Sequence, residues 1–283
     1  MDTGGACGLE WARIAPDKVV VATAERAFLH TPGGPGEMDS FTRPMQGPGS
    51  LATTRNLLDG ALGAGQRAAP RAKELPPLTP ARWAWRLCGS YCTTHATPSL
   101  MAEAAARFGA TGRATLARWA EQKAREEQGH DRLALRDLAA LGYDAERAVE
   151  ALVPPTAAAL VRYFTAAVRA EDPIRCVGYA YALERLALRH NAAYLKRVEA
   201  ILPPGVYATR CLHVHSETGS DAGHVEETVR VAAGLPGEER AQIALACYET
   251  TVLCYDASAG TIEESTLESA LATLKTHNGQ VSS

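Results

Sequence analysis

A chain of 283 residues can bury one large helical core or two small ones. Its 29 Lys and Arg against 32 Asp and Glu give a net charge of −3, and no basic stripe is present to neutralise successive phosphates, so nucleic acid is a poor partner. No apolar run reaches the roughly 18 residues of a membrane span, and residues 1–10 lack a basic segment followed by an apolar one, so the expectation is a cytoplasmic protein with no membrane contact.

Along the chain, residues 1–78 read as an extension with linkers and residues 79–283 as a helical bundle. Pro and Gly crowd Thr31 to Ser50, and Gly60 to Pro77 is a second loop-like stretch. Before them, the β-branched run from Lys18 to Thr23 suggests a short strand. At Thr79-Pro80 the character changes to an N-cap followed by proline, where a helix begins. Further helices are predicted at 112–141, stopped by Gly142, at 144–152, at 155–170 after Pro154-Pro155, and at 173–201, stopped by Pro203-Pro204-Gly205. Others follow near 208–233 and 236–256, with a short one from Ile262 to Lys275. Short connections between amphipathic helices make antiparallel neighbours, so the fold class is all-α, a bundle with a Pro/Gly-rich N-terminal extension. The seven cysteines lack zinc-type pairing, and Cys88, Cys92, Cys247 and Cys254 stand at helical spacings among small apolar residues; they read as buried reduced thiols.

Chemistry concentrates in three places. Glu127 and His130, in Glu126-Glu127-Gln128-Gly129-His130, are three apart and project from nearly one helical face. Asp221 and His224 form a second pair with the same spacing. Glu184 lies in the mostly apolar run Gly178 to Leu186, where an inward-facing acid needs a partner that a metal would supply. Carboxylates and imidazoles converging from several helices of a bundle are the ligand types of di-iron carboxylate proteins. In an ideal helix Glu217, Asp221 and His224 share a face, and His215 lies about 120° from Asp221. Gly219 and Gly223 weaken that helix, by about 1 kcal/mol each relative to alanine, and local unwinding there could bring His215 inward, so Glu217 and His215 both stay open.

In these residues the sequence resembles the haem-oxygenase-like di-iron oxidases and oxygenases, also called iron-containing redox enzymes, over roughly residues 80–256. The resemblance rests on Glu126 to Asp131 with Leu138-Ala139-Ala140-Leu141-Gly142, on Val177 to Glu184, and on His215 through Asp221 to Glu227. It implies a haem-oxygenase-like helical bundle, with metal ligation by Glu127, His130, Glu184, Asp221 and His224, and His215 as third histidine. The sequence departs from the family pattern in offering no carboxylate between Tyr91 and Ala96 and in placing Glu217, rather than a histidine, three or four residues before the aspartate-to-histidine unit. Two Fe(II) per chain are expected, the second labile because it has few anionic ligands.

The function expected from this resemblance is a non-haem di-iron oxidase or oxygenase that uses O2 to N-oxygenate, hydroxylate or oxidatively cleave an amino acid, amine or fatty acid. Arg185, beside Glu184, and Tyr181 are candidate catalytic residues, Arg185 as a hydrogen-bond donor around the metal or a carboxylate anchor. Tyr179 is an alternative to Tyr181, since the two do not share a face. A small-molecule substrate is the main partner, and an electron donor and a homodimer are possible ones. The alternatives are a metal-independent thiaminase-like or cofactor-biosynthesis enzyme on the same fold, using these groups as acids and bases, and a non-enzymatic helical carrier or interaction protein.

Overall fold

The computed structural model describes residues 8–41, 45, 47–70, 76–216, 221–256 and 262–276, without the side chains of residues 35, 39, 221 and 222. Near the N-terminus, strands β1 (Glu10–Ala15), β2 (Lys18–Ala22) and β3 (Ala27–His30) form an antiparallel meander in that order, with Ala12 opposite Val20 and Val21 opposite Phe28. Period-2 patterning puts Glu10, Ala12 and Ile14 inside while Arg13 faces out. The single strand expected at Lys18 is thus the middle of three.

Helix α1 (Pro35–Ser40) is short, and α2 (Leu51–Ala68) is capped by Ser50, whose hydroxyl accepts from the Thr53 amide at 3.0 Å. Helix therefore replaces much of the loop expected from Gly60 onward. The glycines that suggested a loop serve close packing instead: a Cβ at Gly60 would lie 2.7 Å from the Ala27 Cβ, and one at Gly65 would lie 2.6 Å from the Tyr248 carbonyl oxygen. The sheet and α2 are not an appendage, since Ala12, Ile14, Leu57 and Leu62 belong to the same buried cluster as Phe108, Tyr179 and Ile243.

The bundle continues with α3 (Pro80–Ala110), α4 (Ala114–Glu126), α5 (Asp131–Ala140), α6 (Ala145–Ala151), α7 (Pro155–Arg169), α8 (Arg175–Ala187), α9 (Ala192–Glu199), α10 (Arg210–Val214), α11 (Asp221–Ala233), α12 (Gly237–Tyr255) and α13 (Glu264–Ala272). Thr79 caps α3 by accepting from the Arg82 amide at 3.1 Å, and Asp144 and Asn191 cap α6 and α9 in the same way. Three predicted helices are each two. Gly129, at φ +87°, ends α4 and redirects the chain into α5. Asn191 starts α9 afresh after α8, and α10 ends at Val214, before α11 begins at Asp221. Among the described residues no single helix is long and apolar enough to cross a membrane.

Helix α12 runs through the larger hydrophobic cluster, packed on α2 and α8. Its approach to α8 is set by Gly178, where a Cβ would fall 2.2 Å from the Ile243 carbonyl oxygen. A second cluster gathers Trp83, Leu87, Leu138, Leu212 and Leu271 from the first half of α3 with α5, α10 and α13. Buried charge ties the sheet to α12. Arg240, 1% exposed, donates to Glu10 at 3.0 Å and to the Gly47 carbonyl at 3.0 Å, while the Thr54 hydroxyl donates to Glu10 at 2.9 Å. Removing one partner leaves a buried charge uncompensated, so Arg240→Ala should lower stability by about 3–5 kcal/mol in chemical denaturation. A loss below about 1 kcal/mol would mean that water reaches Glu10.

Candidate metal centre

Helix α4 buries Leu116, Trp119, Ala120 and Lys123, a stripe at helical spacing whose last member is a cation, and Glu126 and Glu127 close its final turn. Because Gly129 takes a backbone conformation that favours glycine, the chain turns back at once and presents His130 to Glu127, with Nδ1 3.0 Å from Oε2. A turn, rather than one continuous helix, therefore joins this pair.

His215 reaches the same point from the far side of the sequence. It follows the five-residue α10, which is held by Asp137 of α5. The Asp137 carboxylate is fully buried and accepts from the Cys211 amide at 2.9 Å and from Arg210 at 3.0 Å. Burial raises its pKa, and these bonds act against that rise. One helix thus carries His130 at its start and fixes His215 near its end. The two imidazoles meet edge to face, with ring centroids 5.0 Å apart, and one donor atom each of Glu127, His130 and His215 lies within 4.8 Å of the others. Burial by itself would raise the pKa of Glu127; the His130 hydrogen bond and the charges of His215, His130 and His224 outweigh it and hold the carboxyl below its ordinary range.

Glu184 and His224 belong to a neighbouring group. The Lys123 ammonium lies 3.0 Å from Glu184 Oε1 and 3.4 Å from Glu126 Oε2. His224 stands against the same two carboxylates, with Nε2 3.2 Å from Glu126 Oε2 and Nδ1 3.8 Å from Glu184 Oε1. Asp221 begins α11, but its side chain, like all of Glu217, lies outside the described residues.

Both groups border one cavity of about 430 Å³, whose lining includes Lys123, Glu127, Glu184, His215 and Arg86 together with Trp83, Met101, Leu183 and Leu212 from the two hydrophobic clusters. Helix α3 contributes Ser90, Thr93, Thr94 and Thr97. The threonine hydroxyls donate to their own helix, Thr94 to the Ser90 carbonyl at 2.8 Å and Thr97 to the Thr93 carbonyl at 2.9 Å, so this wall offers a ligand few free donors. Tyr179 differs. It lines the cavity but is 2% exposed, its ring stacks on Phe164 at 4.2 Å, and its buried hydroxyl has no hydrogen-bond partner among the described residues. Burial raises its pKa, so the hydroxyl remains a donor at neutral pH.

Two expected residues are placed elsewhere. Tyr181 donates to Asp59 at 2.9 Å, and Arg185 binds the same carboxylate through two nitrogens at 2.9 and 3.1 Å. Neither lines the cavity. Asp59 sits on α2, within the stretch expected to be an extension, and it draws both side chains toward α2, Tyr181 remaining fully buried. His95 pairs with Asp131 at 2.8 Å and is exposed, and Glu103 pairs with Arg169. The residues missed in the sequence are Lys123, Glu126, Asp137 and the cavity-lining His190 and Tyr194. Only Lys123 left a signal, as the inward-facing member of the α4 stripe.

A profile of iron-containing redox enzymes matches residues 85–256 of the chain, from α3 to the end of α12. The chain belongs to the iron-containing redox enzyme family. Solved structures show the haem-oxygenase-like fold that this family membership implies. A TenA homolog from Pseudomonas syringae pv. tomato superposes with a TM-score of 0.55 at 15% identity, covering 75% of this chain and 95% of that one. A domain of unknown function with a heme oxygenase-like fold from Shewanella denitrificans gives 0.53 at 19% identity, covering 79% and 89%. No curated protein matches the sequence.

The two tyrosines of this family member's α8 should respond oppositely to loss of the hydroxyl. Tyr179→Phe removes a buried donor without a protein partner and should leave stability unchanged or raise it by about 1 kcal/mol, whereas Tyr181→Phe should cost about 1–3 kcal/mol. Urea denaturation of both variants measures the difference, and equal losses would contradict the placement.

Proposed function

We propose that this iron-containing redox enzyme is an O2-dependent oxidase or oxygenase of a small metabolite, with Fe(II) held by Glu127, His130 and His215. The observation that carries the reading is the convergence of one carboxylate and two imidazoles within 4.8 Å, the donor set that non-haem Fe(II) oxygenases use. The donors suit the ion: a carboxyl held below its ordinary pKa is anionic at neutral pH, and imidazole is a good ligand for iron. Bound there, Fe(II) supplies the electrons and open positions that let dioxygen react.

The chain's own residues do the rest. Asp137 keeps α10, and with it His215, in place through the Cys211 amide. The apolar wall from Trp83, Met101, Leu183 and Leu212 excludes water from the reacting groups. Tyr179, on the cavity wall, keeps a buried hydroxyl without a protein partner among the described residues, a donor that a small shift could turn toward an occupant. A mostly apolar space of about 430 Å³ suits an amine, amino acid or fatty acid, oxidised by N-oxygenation, hydroxylation or C–C cleavage, with electrons from an external donor.

A metal-independent reading draws on the fold shared with the TenA homolog and on the 3.0 Å contact of Glu127 with His130, which would also serve acid–base catalysis. Nucleophilic thiol chemistry fits poorly, since burial pushes the cavity cysteines Cys211 and Cys254 up to about 12. Anaerobic Fe(II) titration followed by oxygen admission separates the readings. The metal reading expects iron binding and oxygen uptake, with affinity down by more than about 100-fold in His130→Ala and His215→Ala and by about 10–100-fold in Asp137→Ala. Absence of iron binding, with turnover of a substrate in the presence of chelator, would leave the acid–base reading.

A further inference from the structure

Beside the Glu127, His130 and His215 donors stands a second set that has the residue types of a metal site: Glu126 and Glu184, from different helices, and the His224 imidazole, whose Nε2 lies 3.2 Å from Glu126 and whose Nδ1 lies 3.8 Å from Glu184. Between the two carboxylates lies the Lys123 ammonium, 3.0 Å from Glu184 and 3.4 Å from Glu126, on a side chain 2% exposed. A protonated lysine has three donors and no lone pair, so it cannot ligate a metal; it can only take a metal's place as counter-charge. Resting on the metal reading above, we infer that Lys123 is a built-in cation filling the second metal position, so that this protein holds one metal ion per chain and not two.

The charge arithmetic supports the assignment. A divalent ion brought to Glu126 and Glu184 would sit within a few ångströms of a buried positive charge, in surroundings that screen repulsion poorly. It would also have to displace a tethered ammonium that needs no binding from solution. Nor can the ammonium easily withdraw, because at 2% exposure the side chain has packed neighbours and leaving its anions would strand it. The neighbouring set carries no such obstacle. Glu127, His130 and His215 bring one carboxylate and two imidazoles to one point, the donor types of a mononuclear Fe(II) site.

The consequence is a latent second site that replacement of one side chain should open. Lys123→Met retains the length and apolar stem of lysine while removing the charge, leaving Glu126, Glu184 and His224 to a cation from solution. The test uses Mn(II), which is stable in air at neutral pH, with equilibrium dialysis to count ions and electron paramagnetic resonance to report whether they are isolated or coupled. Wild-type protein and Lys123→Arg should bind one Mn(II) per chain with the six-line signal of an isolated ion. Lys123→Met should bind two, with that signal broadened by the neighbouring ion, and Lys123→Met/His224→Ala should return to one. Two ions in the wild type, or one in a folded Lys123→Met, would overturn the inference. If Lys123→Met does not fold, the counts for the wild type and Lys123→Arg decide it alone. No ion bound by the wild type would instead overturn the metal reading on which the inference rests.

Discussion

Lys123 carries its charge into a part of the bundle where the side chain is 2% exposed, and an ammonium is tolerable there only when anions meet it. Glu126 meets it from the same helix and Glu184 from α8, while His224 of α11 closes on both carboxylates. Three helices are thereby registered against one another through a buried charge. The consequence for the site is direct, because Glu127 follows Glu126 in the final turn of α4 and cannot shift without disturbing that register. Buried Arg240 and Glu10 do for the N-terminal sheet what Lys123 and Glu184 do for the centre. In each place the ionic contact fixes which surfaces meet, while apolar burial supplies most of the favourable free energy.

From this registration follows the placement of the cavity. It opens where the two hydrophobic clusters adjoin, with Trp83 and Leu212 from one and Met101 and Tyr179 from the other on its wall. Helix α3 passes through both, and Pro98 within it removes one backbone donor beside the threonine row. Charged groups on the wall include Arg86, which donates to the Tyr194 hydroxyl at 2.7 Å, as well as Lys123, Glu127 and Glu184, so a bound molecule would meet both charge and apolar contact.

Much of this was legible in the sequence, for reasons that are local. Thr79-Pro80, Gly142 and Pro154-Pro155 act on the residues next to them, and helices start or stop there. Glu127 and His130 were also visible because their partnership spans three residues. The helix predicted over 112–141 runs through Gly129, but whether a glycine continues a helix or takes φ +87° depends on tertiary packing. Gly60 and Gly65 erred the other way, suggesting a loop where they allow helix α2 to approach Val20, Ala27 and Tyr248. The fates of Tyr181 and Arg185 were illegible, because Asp59 lies more than 120 residues earlier in the chain. Lys123 is not a residue type that binds metal, so its part at the centre shows only once Glu126 and Glu184 are seen to meet it.

The fold itself decides little about chemistry. A TenA homolog shares it at 15% identity, and folds of this kind host different reactions on one framework. The chemistry of this chain depends on where its charges lie on that framework. A bundle that presented all of its inner carboxylates to solvent ions would be free to gather two metals; this one commits Glu126 and Glu184 to a lysine and leaves Glu127 with two imidazoles. On the proposed reading, the division leaves one set of acids to hold helices in register and the other to hold the metal. A centre built in that way keeps its architecture when the metal is absent, because the charge that organises α4, α8 and α11 is covalently part of α4.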